Sequence, residues 1–453
     1  MTTNLTEGKI ITHIKSIAIP ASVGMLFNTL FNVVDTFYSG KISTDALAGL
    51  TVSFPIFFII IAISVGIGSG TTALSAIALG TNDIKTFHKL IRNSLILGFF
   101  LMIIIILAAP ATSNFLFKLS GVKGETLIAG TNYMNTLFFG SGFFIFNFIL
   151  NGALTAQGDT KSYRNFLIIG FFLNLILDPM FIYGWLLFPK LGTIGIALAT
   201  VIVQVIGTIY LLYKVYKSPL FEILTFKSST FSMHSIIALL KQGIPTSLNM
   251  ATIALGVFII NFFILRFSDD ITIAAFGAAV RVEQLALLPA LGLNTAALTI
   301  TGQNFGAKDI ERIYDLRKQT LIIGVGIMVI GAIIIYPLAP WLIGLFNKDP
   351  SVITAGTNYL RIEVFAFPTY VIIGILLSIM QGIKKPTFAV YLGLYRQILM
   401  PIPLFYFFGI VLDLGVNGIW WGIVFVTWTS VLAAHLYSRK QLKNLVPSLG
   451  SLR

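Results

Sequence analysis

Ile19-Pro20-Ala21-Ser22 returns 225 residues later as Ile244-Pro245-Thr246-Ser247, and this pair of short stretches decides how the rest of the chain is read. Working outward, Gly80-Thr81-Asn82-Asp83-Ile84 answers to Gly306-Ala307-Lys308-Asp309-Ile310 at an offset of 226. Leu95-Ile96-Leu97-Gly98 answers to Leu321-Ile322-Ile323-Gly324 at the same offset. Gly130-Thr131-Asn132-Tyr133 recurs unchanged as Gly356-Thr357-Asn358-Tyr359. Gln157-Gly158 matches Gln381-Gly382, and Leu191-Gly192 with Gly195 matches Leu414-Gly415 with Gly418. Each match is weak alone; a shared order at a nearly constant offset is the mark of a duplicated unit.

Of the 453 residues, 56% are hydrophobic and only 10% charged, where a soluble domain carries about 25% charged residues. Apolar runs near the ~20 residues that cross a bilayer as a helix recur along the whole length. Twelve are expected, over 16–38, 49–79, 94–112, 131–155, 165–187, 194–214, 240–265, 273–301, 319–345, 357–380, 391–411 and 416–437. Several exceed one membrane thickness and so imply tilt or protruding ends. Six runs fall in each copy, so both copies enter from the same side and the repeat is parallel. The expected architecture is an all-α membrane protein of twelve transmembrane helices in two pseudo-symmetric six-helix lobes. The N-terminal lobe is 1–213, a cytoplasmic linker with Pro219 and Ser228-Ser229-Thr230 spans 214–241, and the C-terminal lobe is 242–453.

A net charge of +13 invites a nucleic-acid reading, but the position of the charges gives a better one. With both termini cytoplasmic, 22 lysines and arginines, Arg396 among them, fall on inner segments. Only Lys41, Lys118, Lys123, Lys190, Arg266 and Lys348 fall on outer loops. This positive-inside bias supports the span count and the orientation, and it leaves nucleic acid without a role. The first apolar run follows Lys9 and Lys15, contains Asp35 and lacks a small-residue cleavage site, so it reads as the first span. The chain has no cysteine, which excludes disulfides and thiolate metal sites. No membrane-embedded enzyme is indicated, because no nucleophile or metal constellation stands at an interface.

Polar residues line up at helical spacing within the first half. Asn28, Asn32 and Asp35 share a face of the first span, and Asn147 and Asn151 a face of the fourth. Asn174 and Asp178 are four apart on the fifth span, as are Thr200 and Gln204 on the sixth. Lipid penalises such stripes, so they should converge inside the first lobe. An ionisable group at the centre of a span costs roughly 2.5–3.5 kcal/mol on insertion scales, and by default it marks an ion or proton pathway. By the nearest offset, Asn32 becomes Val257, Asp35 becomes Ile260, Asp178 becomes Met400 and Thr200 becomes Ile423. A shared packing role would have kept polar counterparts; the aspartates are additions to one lobe. Two carboxylates in such a pocket can hold and release a proton between them, or with amide and hydroxyl oxygens can surround Na⁺. Pro20 and Pro179 each remove a backbone bond and can bend a helix beside a polar stripe, although Pro245 recurs in the lobe without aspartates.

The second half carries Arg281 with Glu283 and Arg361 with Glu363, each pair two apart and so on different helical faces. The glutamates either border a central cavity or are neutralised by nearby arginines at a span end, and the structural reading is favoured. Gly66-Ile67-Gly68-Ser69-Gly70 lies in an apolar run and reads as close-packing backbone, not a phosphate loop.

The residues together resemble the multidrug and toxic compound extrusion transporters over nearly the whole chain. The likeness rests on the Ile-Pro opening of each half, Asn32-Val33-Val34-Asp35 with Ser39-Gly40, and Asn151-Gly152 with Gln157-Gly158-Asp159. It rests also on Asn174-Leu175-Ile176-Leu177-Asp178-Pro179 and Gly195-Ile196-Ala197-Leu198-Ala199-Thr200. Within the family the chain is most similar to the branch typified by the DNA-damage-inducible transporter, with its coupling site in the N-terminal lobe. The resemblance implies a V-shaped pair of lobes in a prokaryotic plasma membrane and rocker-switch antiport of small organic cations or amphiphiles against H⁺ or Na⁺. It implies no cofactor, and the chain is expected to act as a monomer. It carries a cation site over to Asp35, Asn174, Asp178 and Thr200, with Tyr133, Asn147 and Asn151 lining the same cavity. A lipid-linked oligosaccharide flippase of the same superfamily is the rival, and it would need intramembrane basic residues facing the cavity. Arg281, Arg361 and Arg396 are the candidates, each near an expected helix end.

Overall fold

In hydrocarbon every backbone N–H and C=O has to be satisfied within the protein, and long apolar runs achieve this as helices. The computed structural model describes residues 4–119, 121–185, 188–218 and 231–450, and the described residues contain no strand. Pro219, Lys227, Ser228-Ser229-Thr230 and Arg453 lie outside the described residues, as do 186–187 at the end of the fifth expected span. The first half comprises α1 (Ile10–Ile42), α2 (Thr44–Gly80), α3 (Ile84–Leu119), α4 (Gly124–Ala156), α5 (Lys161–Tyr183) and α6 (Thr193–Tyr216). The second comprises α7 (Met233–Phe267), α8 (Asp270–Ala286), α9 (Leu288–Gly306), α10 (Ile310–Gly344), α11 (Pro350–Glu363) and α12 (Phe367–Gly382). It continues with α13 (Phe388–Leu394), α14 (Pro401–Tyr406) and α15 (Val416–Gly450). Among the described residues ten segments are long and apolar enough to cross a bilayer, and two bent pairs complete a set of twelve spans.

Those bent pairs correct the expected runs 273–301 and 357–380, which read as single helices. Between α8 and α9 the chain turns by 46°, and between α11 and α12 by 53°. Pro289 and Pro368 stand in the first turn after each break, where a missing N–H and a ring against the preceding turn favour a bend. Their first-half counterparts, α2 and α4, are unbroken at 37 and 33 residues. Glu283 lies in the last turn of α8 and Glu363 is the last residue of α11, so each bend follows a carboxylate.

The duplication shows in backbone geometry. Asn82 and Lys308 both take left-handed φ values, 56° and 61°, in the matching turns before α3 and α10. Gly158 and Lys384 do the same at 84° and 62° after α4 and α12. That second pair lies 226 apart, so the turn places Gly158 opposite Lys384 rather than opposite Gly382. A second shift concerns α5. Gly195 packs against the backbone at Phe181, and Gly418 packs in the same way against Phe408. The counterpart of Asp178 by this register is Phe405, not Met400, because the two halves differ in the loop that follows and the second half carries π-turns at Tyr395–Leu399 and Phe407–Val411. Phe405 is fully buried and apolar, so the asymmetry between halves stands.

Contacts divide the chain into two compact units, Val23–Ser247 and Leu5–Ser22 with Leu248–Arg453. The units follow the sequence halves except at their entrances, which are exchanged. At 33 and 35 residues, α1 and α7 are roughly 50 Å long, and the leading turns of each pack in the other half's unit. Ile236 and Leu239 of α7 join the first unit's core with Phe87, Met134 and Leu137. Ile14 and Ile17 of α1 join the second unit's core with Leu293 and Phe367. Repeated glycines make room for both arms. A Cβ on Gly66 would stand 1.9 Å from Ser247 Oγ and 2.6 Å from the Gly243 carbonyl oxygen; on Gly292 it would stand 2.1 Å from Ser22 Oγ and 2.3 Å from the Ala18 carbonyl oxygen. Pro20 and Pro245 sit within three residues of the points where their helices pass from one unit to the other.

Candidate ion-coupling site

Asp35 comes from α1, Asn174 and Asp178 from α5, and Thr200 from α6, all within the first unit. The four-residue spacing on α5 sets Asn174 one turn from Asp178, and its amide bridges the two carboxylates. Asn174 Nδ2 donates to Asp35 Oδ1 at 3.1 Å and to Asp178 Oδ1 at 3.0 Å. The Thr200 hydroxyl lies 3.2 Å from Asp35 Oδ2 and 3.1 Å from the Ile196 carbonyl oxygen, and its single proton serves one or the other. Asp178 and Asn174 are fully buried, with Asp35 and Thr200 only 6% and 4% exposed. Asp178 Oδ2 and Asn174 Oδ1 are buried without a hydrogen-bond partner. Both carboxylates converge on the Asn174 amide nitrogen with the Thr200 hydroxyl beside them, and Asp178 Oδ2 and Asn174 Oδ1 keep lone pairs that face no donor. Such hard oxygens suit a proton or a small monovalent cation. Tyr133, 8% exposed, lies within electrostatic reach of the pair, and Tyr38 within reach of Asp178. Pro179 lacks an N–H, so the Leu175 carbonyl one turn away has no helical donor beside the site.

The remaining polar candidates separate. Asn147 Nδ2 donates to the Gln204 carbonyl at 3.0 Å and to Gln204 Oε1 at 2.7 Å, and the Thr208 hydroxyl donates to Asn147 Oδ1 at 2.9 Å. This is a second polar network in the first unit, between α4 and α6. Asn151 accepts from Thr155 at 3.1 Å on its own helix. Asn28 and Asn32 do not converge with Asp35: both are exposed, and Asn32 Nδ2 returns to the Asn28 carbonyl at 2.8 Å. A three-residue step turns the helix by about 300°, enough to put Asp35 inside while Asn32 stays out.

Glu283 and Glu363 belong to a cluster in the second unit. Tyr359 Oη donates to Glu283 Oε2 at 3.1 Å, and Tyr370 Oη donates to Glu363 Oε1 at 2.5 Å. Glu363 is fully buried; Glu283 is half-buried. The sequence-adjacent arginines do not neutralise them. Arg281 and Arg361 are exposed and lie over Phe346 and Tyr336, at 6.0 and 5.3 Å from the ring centroids. The cation acting on both glutamates is Arg396, which stands inside the span Phe388–Val411 and not at its inner end. Sequence reasoning missed Tyr38, Thr208, Tyr370 and this placement of Arg396. Tyr38 follows Asp35 by three and Thr208 follows Gln204 by four, so helical spacing alone would have flagged both.

A family model described as MatE matches residues 20–180 and again 245–407, once in each half. The FAD transporter of Shewanella oneidensis is 26% identical over 401 residues, covering 86% of both chains. The probable multidrug resistance protein YoeA of Bacillus subtilis is 25% identical over 419 residues, covering 89% of both. An outward-facing multidrug resistance transporter of the MATE family and MOP superfamily has the same fold, with a TM-score of 0.92 at 26% identity over 98% of each chain. A duplicated twelve-span fold, matched end to end and twice by one family model, is an integral membrane transporter and not an enzyme; the chain belongs to the MATE family.

Proposed function

We propose that the chain is a secondary active antiporter of the branch typified by the DNA-damage-inducible transporter, with both termini cytoplasmic. It exports small organic cations against inward H⁺ or Na⁺. The observation that carries this reading is the carboxylate pair of Asp35 and Asp178 bridged by the Asn174 amide, with two buried oxygens facing no donor. A cation entering between the carboxylates replaces the Asn174 bridge as the group holding α1 to α5, and its departure returns the bridge. Packing of α1, α5 and α6 then differs between the loaded and empty states, which is the differential contact that ion coupling requires. The Lys and Arg bias of the loops supports the orientation.

The test is efflux of a fluorescent organic cation from proteoliposomes under separately imposed pH and Na⁺ gradients. At least one gradient should drive transport in the parent protein, and neither should in Asp35→Asn. A phosphate-bearing cargo belongs in the same assay, because one relative is named a FAD transporter. The flippase rival needs an intramembrane basic residue facing the cavity; the charge of Arg396 acts instead on Glu283 and Glu363.

A further inference from the structure

Each unit holds a carboxylate pair within electrostatic reach of the same repeated tyrosine, Tyr133 in the first and Tyr359 in the second. The surroundings differ in one respect. Asp35 and Asp178 are met by Asn174 and Thr200, with no lysine or arginine acting on them among the described residues. Glu283 and Glu363 are each met by a tyrosine hydroxyl, and Arg396 acts on both through space without an ion pair to either. The Arg396 guanidinium lies 5.8 Å from the centroid of the Tyr370 ring, the ring whose hydroxyl holds Glu363 Oε1. Glu363 Oε2 is buried without a hydrogen-bond partner, so one face of the pair depends on charge alone.

The backbone fixes that arginine. Arg396 stands on the π-turn Tyr395–Leu399, an inserted residue's worth of helix of the kind that re-aims a side chain at a functional position. The next residue, Gln397, fits against Gly256 of α7, where a Cβ would stand 2.0 Å from its Oε1. Tyr395 Oη donates to Thr429 Oγ1 of α15 at 3.1 Å on the other side. A guanidinium never gives up its proton in a protein, so this positive charge is permanent.

We propose that Arg396 is a tethered cation: it supplies to Glu283 and Glu363 the positive charge that Asp35 and Asp178 take from solution, and so keeps the second unit from binding a coupling cation. An uncompensated carboxylate pair in the membrane interior is strongly disfavoured. The first unit meets this by recruiting an ion that can leave, the second by an ion that cannot. Removing the guanidinium turns Glu283 and Glu363 into a recruiting site for a monovalent cation. The inference rests on the reading of Asp35 and Asp178 as the coupling site.

The experiment counts cations bound per purified chain, ²²Na⁺ by scintillation proximity and protons by dye titration across a pH step. Arg396→Gln is expected to bind one cation more than the parent, and Arg396→Gln with Glu363→Gln to lose it again, while Arg396→Lys matches the parent. A folded Arg396→Gln protein with an unchanged count overturns the proposal. If Arg396→Gln does not fold, Asp35→Asn with Asp178→Asn decides, with and without Glu363→Gln. Residual cation binding that Glu363→Gln removes overturns the proposal, and no residual binding supports it. Residual binding that Glu363→Gln leaves untouched overturns the coupling-site reading and, with it, the proposal that rests on it, so the two failures are distinguishable.

Discussion

Replacing Asp35 by asparagine removes a charge while leaving the fold almost untouched, and the hydrogen bonds show why. Asp35 Oδ1 accepts from Asn174 Nδ2 at 3.1 Å and Oδ2 receives the Thr200 hydroxyl at 3.2 Å. In Asp35→Asn the new side chain can keep its carbonyl toward Asn174 and turn its amide toward Thr200. Thr200 then accepts from that amide and donates to the Ile196 carbonyl, which already lies 3.1 Å away. Only the second N–H of the new amide is left without an acceptor in this buried site, so the structural cost is about 1–3 kcal/mol. The lost attraction for a bound cation is larger: a unit charge about 4 Å from a carboxylate contributes roughly 4 kcal/mol at an effective dielectric of about 20. At about 1.4 kcal/mol per tenfold, cation affinity falls by about three orders of magnitude. Gradient-driven efflux in proteoliposomes should vanish while the thermal midpoint in detergent stays within a few degrees of the parent. Efflux at the parent rate under either gradient refutes the assignment of Asp35. A loss of efflux accompanied by a collapse of the midpoint refutes the account of the hydrogen bonds.

Thr200→Val takes the hydroxyl oxygen from the site. If that oxygen ligates Na⁺, Na⁺-driven efflux drops about tenfold or more, the loss of a contact of roughly 1.5 kcal/mol to a charged group. Thr200→Ser restores it, pH-driven efflux changes little, and equal losses under both gradients argue against a ligand role. Asn147→Leu strands Gln204 Oε1, at about 1–3 kcal/mol for a buried group left unpaired, while the Thr208 hydroxyl keeps the Gln204 carbonyl oxygen at 2.9 Å. A lower thermal midpoint with an unchanged cation count is expected, and a changed count would place that network in the ion site. Gly292→Val drives a Cβ to within 2.3 Å of the Ala18 carbonyl oxygen and should cost at least about 1–3 kcal/mol by overpacking, whereas Gly326→Ala, with nothing within 4 Å, should gain up to about 1 kcal/mol from helix propensity. Thermal unfolding of the two proteins beside the parent checks the pair, and similar midpoints would contradict the packing at Gly292.

The twelve spans were legible because a bilayer admits so few backbone solutions that hydropathy and length nearly define them. Asp35 and Asp178 were legible because charge is rare in a span, and Asn174 and Thr200 because helical spacing and family likeness pointed the same way. Exposure of Asn28 and Asn32 was not, since a polar stripe shows which residues share a face and not which way the face turns. The breaks at Pro289 and Pro368 carried a signal in proline itself, hidden because each apolar run continues across it. Arg396 read as an inner-side charge because no hydropathy count registers a π-turn. The counterpart of Asp178 slipped from Phe405 to Met400 because a repeat offset carried back across the loop assigns to the helix a length difference that lies in that loop. Exchange of the α1 and α7 entrances left no trace at all: an apolar face is the same sequence whichever bundle it joins.

That exchange bears on the order in which the chain can be assembled during synthesis. Domains made on a ribosome generally close from the N-terminus onward, each when its last residue has emerged. Here the first bundle is not complete until α7 has been made as far as Ser247, after all six of its own helices. The residues just ahead of α1, made before any of them, have no bundle to join until much later: Leu5 pairs with Gln303 and Asn304, and its carbonyl also receives Arg312. Neither half is a finished product on its own, so a chain stalled at the linker leaves the first bundle without the leading turns of α7 and the entrance of α1 without a bundle. Two half-chains separated there and made together should each need the other's entrance to mature.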